Sequence, residues 1–155
     1  RIYRSIDEGK NWFQIASPAD MNNSSVQALS FGAPNSNSNI VPIVGDNNFI
    51  YAGTQGGRIY VSVNGGVPWK LTAGLDGSAV QRIIANPISS RFDAYAVTLR
   101  GVYYLPDARV ATPVWQNITG NLFSLQRTVL GVPGDLEQAI TEITSLAVDW
   151  RGIGA

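Results

Sequence analysis

The sequence predicts an all-β chain built from a repeated unit of four short antiparallel strands. Three observations predict it. Runs such as Ile59-Tyr60-Val61-Ser62-Val63 and Tyr95-Ala96-Val97-Thr98 are rich in β-branched and aromatic residues and are bounded by Gly, Asn, Asp and Pro. Sixteen Gly and eight Pro are scattered through the chain, as many tight turns require. The order of elements over residues 50–72 also returns over residues 94–119.

The elements follow in order. Arg1-Ile2-Tyr3-Arg4-Ser5, then Trp12-Phe13-Gln14-Ile15, read as the third and fourth strands of a first unit, residues 1–16. Val26-Gln27-Ala28-Leu29-Ser30-Phe31 opens a full unit, residues 26–75. It continues through Ile50-Tyr51-Ala52-Gly53-Thr54, a glycine turn, Ile59-Tyr60-Val61-Ser62 and Trp69-Lys70-Leu71-Thr72. Val80-Gln81-Arg82-Ile83-Ile84-Ala85 opens a second full unit, residues 80–122, closed by Trp115-Gln116-Asn117-Ile118-Thr119. Ile143-Thr144-Ser145-Leu146-Ala147-Val148 reads as the first strand of a further unit, residues 143–155. Only residues 134–147 invite a helix, and there the apolar stripe supports no more than a brief helix or loop. Four short strands per unit of roughly 40 to 50 residues is the period of a β-propeller. The expected architecture is therefore a partial β-propeller of four-stranded antiparallel blades. A chain that starts in mid-unit reads as an excerpt of a longer or processed protein. Its outer blade faces would be completed by further blades or by another chain.

One motif recurs with that period. Ser5-x-Asp7-x-Gly9-x-x-Trp12 is followed by Ser62-x-Asn64-x-Gly66-x-x-Trp69, and a worn third copy keeps Asp107 and Trp115 with Leu105 where Ser belongs. Each part has a physical role in a hairpin. Asp or Asn accepts hydrogen bonds from backbone N–H groups a few residues on. Gly supplies the positive φ of the turn. The Ser hydroxyl bonds across the hairpin, and Trp is expected to bury its ring over the turn with its N–H partnered. Asn64 cannot perform acid–base work, so the equivalent Asp7 reads as a turn clasp rather than a catalytic acid or calcium ligand.

Composition narrows the functions. Eleven basic residues balance eleven acidic ones and only 14% of residues are charged, which excludes a nucleic-acid footprint. With no Cys and no His, the chain holds no thiolate or imidazole zinc site and no Ser-His-Asp or Cys-His catalytic group. No apolar run is long enough for a transmembrane segment. No cofactor is implied.

The spacing of these motifs resembles the Asp box, or bacterial neuraminidase repeat. The chain is similar to the Asp-box propellers: sialidases, xyloglucan-cleaving glycoside hydrolases, sortilin-type receptors and photosystem II assembly factors. Residues 51–54 through Trp69, followed by Gly74-Leu75, carry the likeness to the last three branches. The resemblance covers nearly the whole chain apart from residues 35–39 and 123–138, which read as insertions. It implies that the boxes lie on the blade periphery and are structural, not catalytic. It also implies a location outside the cytoplasm, extracellular or periplasmic/luminal.

Candidate catalytic groups are sparse. A sialidase needs an arginine cluster, yet Arg58, Arg82 and Arg100 sit at ordinary turn and strand positions. A glycosidase needs two carboxylates across the scissile bond, and Asp46, Asp76, Asp93 and Asp149 all occupy turn contexts, with Trp150 standing where the hydrolase resemblance expects Pro. The Asn-rich stretches at 35–39 and 46–48 lack the spaced carboxylates of a calcium loop. Asn22, Asn23 and Asn117 fit the glycosylation pattern. Of the pair Tyr103-Tyr104, strand alternation leaves at most one for stacking on a sugar. These readings predict a non-catalytic scaffold for a protein or carbohydrate ligand, the alternative being part of a glycoside hydrolase whose catalytic residues lie mostly elsewhere.

Overall fold

The computed structural model describes residues 1–32, 49–87, 91–124 and 141–150. Its three sheets are all antiparallel, and none closes on itself. β1 (Ile2–Arg4) and β2 (Phe13–Ala16) form a two-stranded hairpin. β3 (Val26–Phe31), β4 (Ile50–Thr54), β5 (Ile59–Ser62) and β6 (Lys70–Leu71) pair in chain order as a four-stranded meander. β7 (Val80–Ala85), β8 (Ala94–Thr98), β9 (Gly101–Leu105) and β10 (Gln116–Asn117) repeat that order. The all-β expectation holds among the described residues, where the other regular elements are single 3-10 turns at Ala19–Met21 and Leu122–Ser124.

The two meanders match in detail. In each, the pairing of first and second strands slips at one place, between Val26 and Ala28 and between Val80 and Arg82. The extra residue is Gln27 in one and Gln81 in the other, a bulge that bends the first strand at the same point. Each second strand ends on a buried Thr that reaches into the following turn. The Thr54 hydroxyl accepts from the Arg58 N–H at 3.1 Å, and the Thr98 hydroxyl accepts from the Arg100 N–H at 3.2 Å. The last strands, β6 and β10, have only two residues each, which keeps the outer edges short.

Sheets with one solvated face alternate apolar and polar residues; β4 and β5 do not, because both of their faces are covered. Every residue of both strands is buried. Side chains on one face, Tyr51, Ile59 and Val61, join Val80, Ile83, Ala94, Ala96 and Leu105 in a core between the two meanders. Those on the other face, Ala52 and Tyr60, join Ile2, Ala16 and Met21 in a core against the hairpin. The order in space is thus hairpin, first meander, second meander. Gly53 allows the close approach between meanders, since a Cβ there would collide with the Val80 side chain. Backbone and side chain also join the first strands directly, where the Ser30 hydroxyl accepts from the Ala85 N–H at 3.2 Å.

Residues 143–148 lie outside the strands of the two meanders. They form no strand among the described residues. Among the described residues their only backbone tie is the Ile143 N–H donating to the Leu99 carbonyl at 3.0 Å, and a strand needs a ladder of such bonds rather than one. The segment lies instead along the open side of the second meander, with Ser145 accepting from Arg82 and Trp150 tilted against Tyr95 at 5.5 Å. Residues 35–39, 46–48 and 151–155, and the expected brief helix up to residue 140, lie outside the described residues.

Candidate functional site

The three copies of the motif form hairpin loops, and they differ in which parts do work. In the first, the Ser5 hydroxyl accepts from the Gly9 N–H at 2.8 Å and donates to the Asp7 carboxylate at 2.8 Å. Asp7 accepts in turn from the Asn11 N–H at 2.8 Å and from the Asn11 side-chain amide. The Asn11 amide, then its backbone N–H and the Ser5 hydroxyl, hold the Asp7 carboxyl below its ordinary value. Glu8 and Gly9 both take positive φ, 60° and 85°, so the loop turns through the left-handed region there.

In the second copy the Ser alone carries the loop. The Ser62 hydroxyl is buried and accepts from the Gly66 N–H at 2.8 Å and the Asn64 N–H at 3.3 Å. The Asn64 side chain is exposed, with no hydrogen-bond partner among the described residues. Gly66, at φ 120°, lies where a Cβ would sit 2.5 Å from the Ile15 Cβ. This loop therefore presses on the preceding hairpin as well as on itself. In the third copy Leu105 fills the Ser position and is fully buried. Asp107 binds its own neighbour instead, accepting from the Arg109 N–H at 2.8 Å and pairing with the Arg109 guanidinium at 2.8 Å. That guanidinium holds the Asp107 carboxyl below its ordinary value.

The tryptophans depart from the expectation that each covers its own turn. The Trp69 indole N–H donates at 2.8 Å to the Ile15 carbonyl on β2 of the preceding hairpin. The Trp115 indole N–H donates at 2.8 Å to the Thr72 hydroxyl just beyond β6 of the preceding meander, and that hydroxyl donates to the Ile59 carbonyl at 2.7 Å. In both cases the acceptor residue stands three positions after the preceding copy's Trp. Trp115 is 2% exposed and ties the meanders together, helped by a backbone exchange in which Ala73 donates to Pro113 and Trp115 donates to Ala73. Trp12 is 63% exposed, with its ring edge near Gly9 and no hydrogen-bond partner among the described residues. An indole N–H has one donor and looks for an acceptor in reach; that acceptor lies on the neighbouring unit, which motif spacing within one hairpin does not reveal. Thr72 and Ile15 are consequently residues that the motif reading passed over. Their signal is the shared position three after a Trp.

A second cluster lies at one end of β8 and β9. Asp93 is buried, accepting from the Asn86 amide at 2.9 Å and the Tyr104 hydroxyl at 3.4 Å. Burial, then the Asp93 charge, pushes the Tyr104 phenol up. Arg109 stacks over the Phe92 ring at 4.1 Å. Arg91, Phe92, Asp93, Tyr104, Asp107 and Arg109 line a polar cavity of about 190 Å³. Its acidic groups are already engaged by partners within the chain. Asp76, in the turn before β7, accepts from the N–H and hydroxyl of Ser78 and from the Thr98 hydroxyl. Of the tyrosine pair, Tyr103 is buried and Tyr104 packs on Tyr95 at 4.9 Å. Arg58, Arg82 and Arg100 are exposed. Among the described residues no group of three acidic side chains could hold a metal ion, and no helix is long and apolar enough to cross a membrane.

No family model, curated protein or solved structure matches this chain.

Proposed function

We propose that the chain is a segment of an Asp-box β-propeller that serves as a non-catalytic scaffold for a protein or glycan ligand outside the cytoplasm. The observation that carries this reading is the repeated coupling between units: two matching meanders stack on each other and on a hairpin, and each later Trp fastens its unit to the one before. Units joined through a Trp at the same place each time form an array, which further blades or another chain complete into a ring. Such a ring presents its loops and channel as a binding surface. The Ser–Gly clasps are then peripheral fasteners rather than chemical groups. A glycosidase acid must hold its proton near neutral pH, whereas Asp107 is tied to Arg109 and held in its charged form.

The test is to offer the full-length protein a panel of glycans and candidate protein ligands, measuring both retention and release of reducing ends. Retention without release is the expected result. Release of reducing ends at a turnover rate above that of heat-treated protein contradicts the scaffold reading and restores the glycoside hydrolase alternative.

A further inference from the structure

The first two copies of the motif differ at a position that decides what their Asp or Asn can hold. Asp7 braces its loop through the backbone N–H of Asn11, four residues on. The residue four after Asn64 is Pro68, which has no N–H to offer. The Asn64 side chain is left in solvent, with no hydrogen-bond partner among the described residues. Its follower is Gly65, and Asn64-Gly65 is the only Asn-Gly pair in the sequence. The Gly65 N–H is also without a partner among the described residues, because the Ser62 hydroxyl takes the N–H groups of Asn64 and Gly66 on either side of it. Gly65 has φ 74° and no Cβ to shield its own nitrogen from the Asn64 side chain. A free carboxamide thus stands next to a free backbone N–H in an exposed loop.

We propose that Asn64 is a site of spontaneous deamidation, and that the isoaspartyl product slackens the loop that fastens the first meander to the hairpin. The Gly65 nitrogen, losing its proton to base, attacks the Asn64 carboxamide carbon. A bond from that nitrogen to Cγ forms, the bond from Cγ to the amide nitrogen breaks, and ammonia leaves, which closes a succinimide ring. Water then opens the ring at either carbonyl, giving aspartate or isoaspartate, with no oxidation, reduction or further reactant. Asn is among the thermolabile residues, and a following Gly presents no Cβ to obstruct ring closure. Either product adds one negative charge to a chain whose formal net charge is zero. Aspartate keeps the backbone as it was. Isoaspartate routes the main chain through Cγ, which lengthens it by a methylene between Ser62 and Gly66. Those two residues are joined at 2.8 Å, Gly66 lies against Ile15, and Trp69 holds the Ile15 carbonyl. Extra length in the loop works against all three contacts. Asp76-Gly77 has the same follower and serves as an internal control, since its carboxylate is held by Ser78 and Thr98. All of this lies within one loop and is independent of the ligand that the protein takes.

The experiment incubates the folded 155-residue chain in heavy-oxygen water at mildly alkaline pH, beside a free peptide of residues 59–70 as an unfolded reference. Trypsin, which cuts after Arg58 and Lys70, then releases the same segment from the protein for mass spectrometry. Heavy oxygen marks only what converts during the incubation, and isoaspartyl methyltransferase tells isoaspartate from aspartate. The expected result is replacement of the Asn64 amide nitrogen by heavy oxygen at a rate within about tenfold of the free peptide, a small difference in barrier. Every other Asn in the chain is expected to convert at least about tenfold more slowly. Protein in which Asn64 stays intact while the peptide converts overturns the site, as does conversion that falls equally on other Asn residues. The isoaspartyl protein, separated by ion exchange, is then unfolded in urea beside Asn64→Asp, which carries the same charge on an ordinary backbone. A lower urea midpoint for the isoaspartyl form is expected. Coincident curves overturn the slackening, because charge alone then accounts for any loss.

Discussion

The loops at residues 5–12 and 62–69 share a spelling and differ in what holds them. In the first, Asp7 gathers Ser5 and Asn11 around itself, and Trp12 is left in solvent. In the second, the side chain of Asn64 does nothing comparable; Ser62 caps the loop from within, and Trp69 fastens it to β2. The shared element is the Ser hydroxyl accepting from a Gly N–H four residues on, at 2.8 Å in both. The acidic residue is a local brace that one loop uses and the other omits. The Trp belongs to the contact between units, and it is buried only where a preceding unit lies against it. Motif positions that look equivalent in sequence therefore divide into a part serving the turn and a part serving the neighbour.

Mutations at the three tryptophans sharpen that division most. Trp115→Ala is expected to cost about 3–5 kcal/mol, the range for emptying a buried aromatic site, read from urea unfolding. Trp69→Ala, half-buried, is expected to cost less, about 2 kcal/mol, and Trp12→Ala no more than about 0.5 kcal/mol. Equal losses at all three positions would mean that each Trp serves its own turn. Gly66→Ala comes next: a Cβ beside Ile15 at φ 120° is expected to destabilise by about 2 kcal/mol. Gly9→Ala has only Trp12 within reach at 3.8 Å, so its smaller effect, on the same unfolding curves, comes from φ alone. Ser62→Ala leaves the Gly66 N–H unpaired in a buried loop and should cost about 1–3 kcal/mol, against about 0.5 kcal/mol for Ser5→Ala, whose partner Gly9 is exposed.

The smallest effect concerns pH. The folded Asp7 carboxyl lies below its ordinary value of 3.8, so its contribution to stability is complete above that pH. It is lost as the pH falls from 3.8 through the lower folded value, because the unfolded chain takes up the proton first. Melting temperatures measured between about pH 5 and pH 2 should therefore fall less steeply in Asp7→Asn than in the parent chain. Asp20 and Asp107, also held low by hydrogen bonds, keep the variant's curve from becoming flat. Identical slopes in the two proteins would show that the brace around Asp7 contributes nothing.

Local features were legible in the sequence, and contacts between distant elements were not. The alternation in Ile59-Tyr60-Val61 and the Val-Gln start of both first strands set strand positions and faces, since side-chain direction has a period of two. The Ser-to-Gly spacing foretold a bond that closes within one loop. What the motif could not tell was where Trp69 and Trp115 would point, because their acceptors lie 54 and 43 residues away along the chain. The buried Asn86–Asp93 pair was hidden for a related reason: each residue alone reads as a turn former, and only the β7–β8 register brings them together. For residues 143–148 an apolar β-branched run suggested a strand, but a strand exists only when a partner ladder is present, and composition supplies no partner.

The central claim is that the loop Trp joins one unit to the preceding one, and a double-mutant cycle across the Trp115–Thr72 bond tests it most directly. Trp115→Phe, Thr72→Val and the double variant would be unfolded in urea under one set of conditions. The account predicts a coupling energy of about 1 kcal/mol, the value of a buried hydrogen bond between side chains in contact. Losses that add to within about 0.3 kcal/mol would contradict it, since additivity means that the two side chains stabilise their own units independently.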